Sequence, residues 1–264
     1  MSTSPTATTP PWALVTGASS GIGAEFARQL ADRGWNSVLV ARRKDRLEGV
    51  AAEVAAKGRT SHVVELDLLR PDAIDTLVAA IETLGVDVSL VVNNAGFGLH
   101  GETMNLDRGR ILRMIDLNVR AMTDVAITFV ARLVARGGGK MLNVASTASF
   151  QPVPHFAAYA ATKAYVTSFS VALDREVAPK GVRILALCPG PTRTEFVETA
   201  ELEIAAPSFV FMDVRRCVAI GLRALDRGRA LVVTGWLNAI GAWIMHVSPL
   251  WFSTRIAGLL FAKR

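Results

Sequence analysis

Two residues that could share a proton stand four positions apart in "YAATK", residues 159–163. In a helix this spacing places Tyr159 and Lys163 on one face. A free phenol has a pKa of about 10, and a neighbouring ammonium group favours the phenolate and so lowers that pKa. The pair could therefore act as a general acid or base near neutral pH. Ordinary helices contain the same spacing, so on its own it leaves both interpretations open.

A second stretch with chemical potential is "TGASSGIG", Thr16–Gly23, which joins an apolar run to a helical pattern. Its glycines let the backbone turn sharply and approach a phosphate, and a helix N-terminus presents N–H groups to the anion. A plain strand-to-helix turn is the alternative, but a position at the first strand of a βαβ series favours a dinucleotide loop. The candidate cofactor-binding residues here are Gly17, Ser19, Ser20, Gly21 and Ile22.

The end of the second predicted strand indicates which nicotinamide cofactor binds. An acidic residue there would bind the adenosine ribose and repel a phosphate. Here Arg42 and Arg43 follow the strand in "VARRKDRL", with no carboxylate before them. Arginine suits a 2′-phosphate because it forms bidentate, charge-assisted hydrogen bonds. The sequence therefore predicts NADP(H) in preference to NAD(H).

Composition limits the other classes of function. The chain has 264 residues, 51% of them hydrophobic, and a net charge of +6. Its basic residues are scattered rather than clustered, which disfavours a nucleic-acid partner. Cys188 and Cys217 show no metal-ligand spacing, so we expect no metal site and two free thiols in a reducing compartment. The polar N-terminus lacks the features of a signal peptide, and a cytoplasmic location is expected.

Strand and helix signals alternate along the chain, which predicts an α/β fold: a Rossmann-type, doubly wound parallel sheet with helices on both faces and about seven strands. Strand signals lie at 12–16, 37–41, 62–66, 88–93, 140–145, 182–188 and 230–233. Helical patterns cover 21–33, 44–57, 71–83, 103–136, 157–178 and 213–226. We interpret 1–11 as a disordered lead-in, 12–234 as one domain and 235–264 as an apolar extension.

Six motifs in register make the sequence resemble the short-chain dehydrogenase/reductase family over residues 12–233. They are "TGASSGIG", "NNAG" at 93–96, Asn118, Ser146, "YAATK" and "PGPTRT" at 189–194. The resemblance implies that Asp67 and Leu68 flank the adenine. It places the central stretch of the cofactor beside Asn94, Ala95 and Gly96, and the nicotinamide end beside Pro189, Gly190, Thr192 and Thr194. It also implies a homodimer or homotetramer, paired through two long helices.

The resemblance also assigns the catalytic roles. Tyr159 would be the acid/base, and Lys163 would tune it and bond the nicotinamide ribose. Ser146 would hydrogen-bond the substrate oxygen and stabilise the charge that develops there. Asn118 would hold a water that links Lys163 to solvent. The reaction implied is NADP(H)-dependent reduction of a ketone or aldehyde, or oxidation of the secondary alcohol.

Two apolar segments bear on the substrate and on partners. The family's lid corresponds to 192–212, where Phe196, Phe209, Phe211 and Met212 indicate a lipophilic substrate or simply lid packing. In the C-terminal extension, helical spacing aligns apolar residues of 236–247 in one stripe. That stripe could pack on the lid or a partner subunit, or could contact a membrane surface. A transmembrane span is the weakest of these interpretations.

Two other functions keep the same motifs. Epimerases and dehydratases related to this family share the tyrosine–lysine pair, but the glycine loop and the short chain argue against them. A non-catalytic NADP-binding sensor would not need Ser146, Tyr159, Lys163 and Asn118 together. The reductase is therefore the leading hypothesis.

Overall fold

The computed structural model describes residues 9–192 and 211–261. Within them, seven strands form one parallel sheet in the order β3-β2-β1-β4-β5-β6-β7. The strands are β1 Trp12–Thr16, β2 Asn36–Ala41, β3 Ser61–Glu65, β4 Val88–Asn93, β5 Gly139–Val144, β6 Val182–Cys188 and β7 Leu231–Val233. The predicted doubly wound parallel sheet is confirmed.

Helices cover both faces of this sheet, as expected where parallel strands read as continuous apolar runs. Side chains alternate along β1, so Ala13 and Val15 enter one hydrophobic cluster and Leu14 enters the other. The helices are α1 Gly21–Asp32, α2 Lys44–Ala55, α3 Ala73–Leu84, α4 Arg108–Ile115, α5 Met122–Ala135, α6 Ala157–Val177, α7 Val214–Asp226, α8 Trp236–Val247 and α9 Leu250–Phe261. Helices α1, α2 and α7 lie on one face, and α3, α5 and α6 on the other.

The predicted helical region 103–136 is not one uninterrupted α-helix. A 3₁₀ turn at Thr103–Asn105 precedes α4, and a π-helical segment, Asp116–Ala121, joins α4 to α5. A π turn accommodates an extra residue and is common at functional sites. Here it contains Asn118, which is only 1% exposed.

The C-terminal extension forms two short helices. Pro249 lies between α8 and α9, and proline cannot continue a helix because it lacks an N–H and its ring clashes with the preceding turn. Across the residues described, the structure has no helix long and apolar enough to cross a membrane. The predicted lead-in falls mostly, at 1–8, outside the described residues, as do Lys263 and Arg264. The division of the chain into lead-in, domain and extension stays a prediction.

Candidate active site

The predicted site residues follow the carboxyl ends of neighbouring strands. In a parallel sheet these ends share one edge, and ligands bind where the strand order reverses. Strand β1 pairs with β2 on one side and β4 on the other, so the reversal lies between β1 and β4. The glycine loop follows β1, and "NNAG" begins at the last residue of β4. The topology therefore forms a crevice between these two loops.

The glycine loop is packed too closely for side chains at two of its glycines. A Cβ atom on Gly17 would lie 2.8 Å from the amide nitrogen of Asn94, and one on Gly23 would lie 2.3 Å from the Gly17 carbonyl oxygen. Gly17 and Gly21 also have φ values of 64° and 55°, which favour glycine. The loop thus brings its backbone close to the N-terminus of α1, as a phosphate site requires.

The side chain of Asn94 supports this loop. Its amide donates to the carbonyl oxygens of Thr16 and Gly17, at 3.0 and 3.3 Å. The Thr16 hydroxyl accepts from the backbone N–H groups of Asn94 and Ala95, at 2.9 and 3.1 Å. Thr16 is fully buried and was missed as a site residue, because a threonine that ends a strand gives no local signal of a partner 78 residues away.

Both predicted phosphate-binding arginines are exposed at this edge. Arg43 donates to the hydroxyls of Ser19 and Ser20, at 3.2 and 2.9 Å, so it braces the glycine loop. Arg42 lines an open depression of about 400 Å³ at the ends of β2 and β3. Its other lining residues are Glu65, Leu66, Asp67 and Arg70.

Asp67 and Leu68 face different surroundings. Asp67 lines the depression, and its carboxylate accepts from the backbone N–H of Leu69 at 3.0 Å. The side chain of Leu68 is 6% exposed and packs in the hydrophobic core. Any contact of Leu68 with a ligand in the depression would thus be made by its backbone.

Tyr159 and Lys163 lie on one face of α6, both largely buried. The Tyr159 hydroxyl is hydrogen-bonded to the side chain of Ser146. The Lys163 ammonium donates to the Val144 carbonyl oxygen at 2.9 Å and lies 5.8 Å from the centre of the Tyr159 ring. The Phe156 ring stacks on Tyr159 with centroids 4.3 Å apart. Serine, tyrosine and lysine are therefore together at the crevice.

The pKa of the Tyr159 phenol is shifted in the direction opposite to that predicted from the sequence. Burial is the largest effect and raises the pKa of the phenol above its usual range, while the hydrogen bond to Ser146 opposes it. Burial also lowers the pKa of Lys163 to about 8. The expectation that Lys163 lowers the phenol pKa is therefore wrong for this structure, because removing both groups from water disfavours both charged forms.

Asn118 lies beside this group and holds the loop that follows β4. Its amide oxygen accepts from the backbone N–H of Phe97 at 3.1 Å, and its nitrogen donates to the Phe97 carbonyl oxygen at 2.9 Å. The same nitrogen donates to Thr162 at 3.2 Å. A Cβ on Gly96 would lie 2.8 Å from the Asn118 oxygen and 3.5 Å from the Lys163 ammonium. Asn118 thus positions the loop; its part in a proton relay stays a prediction.

The "PG" turn after β6 is bonded to Thr234 and packs against the start of the C-terminal extension. The backbone N–H of Gly190 donates to the Thr234 hydroxyl at 3.3 Å, and a Cβ on Gly190 would lie 2.2 Å from the Asn238 amide of α8. Thr192 donates to the Gly190 carbonyl oxygen at 2.9 Å. Nothing local in the sequence singles out Asn238, which the fold brings to this turn. The predicted residue Thr194 lies outside the described residues, with Phe196 and Phe209 of the predicted lid.

The wall of the crevice beside Tyr159 also contacts the extension. A hydrophobic cluster there unites Leu99, Met114, Phe156 and Tyr159 with Ala257 of α9. The carbonyl oxygen of His155 accepts from Gly101 at 2.8 Å, which ties two loops of the wall together. The residues that approach Tyr159 on this side are therefore largely apolar.

Cys188 lies under the site as a buried thiol. Burial raises its pKa to about 11, and its sulfur lies 3.7 Å from the Thr167 hydroxyl. A thiol with that pKa stays protonated at neutral pH and is a poor nucleophile. Cys188 acts here as a small core residue.

Comparison with known proteins identifies the family. The model of the short chain dehydrogenase family matches residues 11–204. The chain is 37% identical to a sulfoacetaldehyde reductase of Chromohalobacter salexigens over 69% of this chain and 73% of that protein. It is 32% identical to a very-long-chain 3-oxoacyl-CoA reductase of Bos taurus over 93% of this chain and 78% of that protein. A short-chain dehydrogenase of Sphingobium yanoikuyae, solved in complex with NADPH, is 33% identical, with a TM-score of 0.78 over 90% of this chain and 96% of its own.

Proposed function

Because this chain belongs to the short-chain dehydrogenase family, whose enzymes act on CH–OH and C=O groups with a nicotinamide cofactor, we propose that it is an NADP(H)-dependent carbonyl reductase. In the reverse direction it would oxidise the secondary alcohol. The observation that carries the proposal is the hydrogen-bonded pair of Ser146 and Tyr159, with the Lys163 ammonium behind the tyrosine ring.

Each residue of this group has a separate task in the proposal. When bound, the reduced nicotinamide supplies the hydride. Ser146 donates a hydrogen bond to the substrate oxygen and stabilises the negative charge that develops on it. Tyr159 gives its hydroxyl proton to that oxygen, which suits a phenol whose raised pKa keeps it protonated. Lys163, buried with a pKa of about 8, is mostly cationic at pH 7 and favours the phenolate left behind.

The preference for NADP(H) is supported by charge at the end of β2. Arg42 lines the depression where the adenosine end would lie, and Arg43 connects that region to the glycine loop. An exposed guanidinium can pair with the 2′-phosphate, which NAD(H) lacks. Glu65 and Asp67 line the same depression, so the preference depends on the arginines outweighing them.

A lipophilic substrate is the next part of the proposal. Phe156 and Leu99 form an apolar wall near Tyr159. Phe211 and Met212, at the described end of the predicted lid, are half-buried and equally apolar. The reductase relative from Bos taurus acts on very long acyl chains, whereas the relative from Chromohalobacter salexigens acts on a small sulfonated aldehyde. The apolar wall favours the former class.

The direct test is NADPH oxidation measured against carbonyl compounds that range from short and polar to long-chain and steroidal, with NADH as a control. We expect turnover with NADPH on lipophilic members. Tyr159→Phe should abolish turnover while leaving NADPH binding, measured by fluorescence titration, unchanged. Loss of NADPH binding in this variant would contradict the assigned role, and turnover confined to small polar aldehydes would contradict the substrate class.

The proposal extends to assembly. Leu112 and Ile115 of α4 and Tyr165 of α6 are 46%, 38% and 38% exposed, and apolar side chains of that size often line contacts between subunits. We therefore propose a homodimer or homotetramer formed through these helices, which sedimentation equilibrium would detect. A cytoplasmic location stays a prediction.

A further inference from the structure

Helices α8 and α9 carry their large apolar side chains on the outside. Trp236, Trp243 and Trp251 are 68%, 65% and 71% exposed, whereas Ala242 and Ala257, on the inner side, are 6% and 0% exposed. An ordinary surface helix buries its large apolar residues and exposes its polar ones. The arrangement here is the reverse, so packing in the protein core does not explain why tryptophans occupy these positions.

The exposed apolar area is large for a protein surface. Taking about 250 Å² for a whole tryptophan side chain, the three tryptophans alone expose roughly 500 Å². Ile240, Val247, Leu250 and Leu259 add further area, being between 51% and 76% exposed. A typical monomer has no apolar patch above about 300–600 Å² unless it binds something. The outward sides of α8 and α9 that carry these side chains are together called the tryptophan face below.

Charge along the C-terminal segment that contains α8 and α9 is one-sided. The sequence has no acidic side chain from Arg227 to the end of the chain, while Arg255 is exposed on α9 and the chain ends with Lys263 and Arg264. Tryptophan together with flanking cations is the composition that binds at an anionic lipid surface.

A second copy of the chain fits this face less well. In a two-fold contact both copies use the same surface, so this face, where α9 exposes Arg255 and the sequence has no acidic side chain from Arg227 onward, would bring only cationic side chains from both copies. Like charges brought together across an interface oppose association. Anionic lipid headgroups would instead neutralise these cations, at about 1 kcal/mol for each Lys or Arg near the surface.

We propose that the tryptophan face docks on the surface of an anionic lipid bilayer. Each helix has 12 residues. It is therefore about 18 Å long, against about 30 Å for the hydrocarbon core. The helices lie along the bilayer surface, with the tryptophans at headgroup depth, where indole rings concentrate. Because Asn238 of α8 lies against the "PG" turn and Ala257 of α9 packs in the wall beside Tyr159, docking brings the active-site crevice near the lipid.

The test is co-sedimentation of the whole chain with vesicles of phosphatidylcholine containing about 30% phosphatidylglycerol, compared with pure phosphatidylcholine. The double variant Trp243→Ser/Trp251→Ser removes two exposed indoles, and Ile127→Ser is the matched control on α5, where the side chain is 53% exposed. Arg255→Gln tests the charge. Circular dichroism and the midpoint of thermal unfolding verify that each variant is folded.

We expect the wild type and Ile127→Ser to bind the anionic vesicles equally. The tryptophan variant should bind them at least tenfold more weakly, since each buried indole contributes more than 1 kcal/mol. Arg255→Gln should bind anionic vesicles about fivefold more weakly than the wild type and should bind neutral vesicles equally well. Equal binding by the wild type and the tryptophan variant, or no binding at about 0.1 M salt, would overturn the proposal. The proposal would also be overturned if the wild type formed an oligomer but bound no vesicles, and if the tryptophan variant were a monomer. That result would assign the tryptophan face to contact with a second copy of the chain. These readouts do not depend on the proposed catalytic activity.

Discussion

The preference for NADP(H) can be tested one arginine at a time. Arg42 lines the depression at the end of β2 and β3, whereas Arg43 donates to two hydroxyls of the glycine loop. Arg42→Ser should therefore affect only a cofactor that carries the 2′-phosphate. Arg43→Ser should weaken the binding of both cofactors, because it also removes the hydrogen bonds to the glycine loop, which receives the pyrophosphate that both cofactors contain.

The size of the effect follows from the exposure of these side chains. A hydrogen bond to a charged group contributes about 1.5–3 kcal/mol, and the lower end applies because both arginines are exposed to solvent. A loss of about 1.5 kcal/mol is close to a tenfold change. Arg42→Ser should thus lower kcat/KM for NADPH about tenfold and leave kcat/KM for NADH within about twofold of the wild type. Arg43→Ser should lower both values, that for NADPH more than that for NADH.

The assay is initial-rate kinetics with each cofactor on one saturating carbonyl substrate. Lys44→Ser is the matched control, since it removes a cation from the next position, where the side chain is 61% exposed and 3.9 Å from Glu48. We expect that control to leave the ratio of NADPH to NADH efficiency unchanged. If Arg42→Ser leaves the ratio unchanged, or if Lys44→Ser shifts it equally, the arginines do not read the 2′-phosphate directly and the reasoning fails.

Three further predictions concern the packing that supports the site. Burial lowers the pKa of Lys163 from 10.5 to about 8, so the unfolded chain binds more protons between those values and stability rises with pH there. In denaturant titrations, the unfolding free energy of the wild type should therefore rise by about 2 kcal/mol relative to that of Lys163→Met between pH 7.5 and 9.5. A difference between the two proteins that does not change with pH would contradict this prediction. Gly23→Ala should lower the free energy of unfolding by about 2–3 kcal/mol and weaken cofactor binding, because its Cβ would lie 2.3 Å from the Gly17 carbonyl oxygen. Gly49→Ala is the control: its Cβ would enter open space, so it should raise the free energy of unfolding by up to about 1 kcal/mol in the same denaturant titration. Asn118→Ala should lower kcat at least tenfold in initial-rate assays by leaving the backbone of the loop after β4 without its partners; unchanged kcat would exclude a positioning role.

The positions of the strands could be predicted because the signal for each is local. Strand β4 has the predicted bounds, Val88–Asn93, and β6 the predicted Val182–Cys188. Strands buried on both faces read as uninterrupted apolar runs, and the glycine and proline residues that follow them mark their ends. The long region 103–136 was harder, because a π turn at Asn118 keeps the apolar spacing of a helix while changing its hydrogen bonds.

The candidate site was predictable only as far as residue types and spacing reach. The four-residue interval sets Tyr159 and Lys163 on one helix face, whatever surrounds that helix. Their pKa values instead depend on burial by other elements, which is why the expected lowering at Tyr159 was wrong. The hydrogen bonds from Thr16 to the backbone of Asn94 and Ala95 likewise join residues 78 and 79 positions apart, and no local pattern encodes such a pair.

The C-terminal extension separates the two kinds of information most clearly. The sequence alone determined that Trp236, Ile240 and Trp243 share one stripe, because a helix repeats every 3.6 residues. Only the tertiary structure decided that this stripe faces outward. Small residues such as Ala242 and Ala257 let α8 and α9 approach the body of the protein closely, and the bulky stripe is left on the far side. Periodicity fixes which side chains share a face, but packing against the rest of the chain selects the face that is buried.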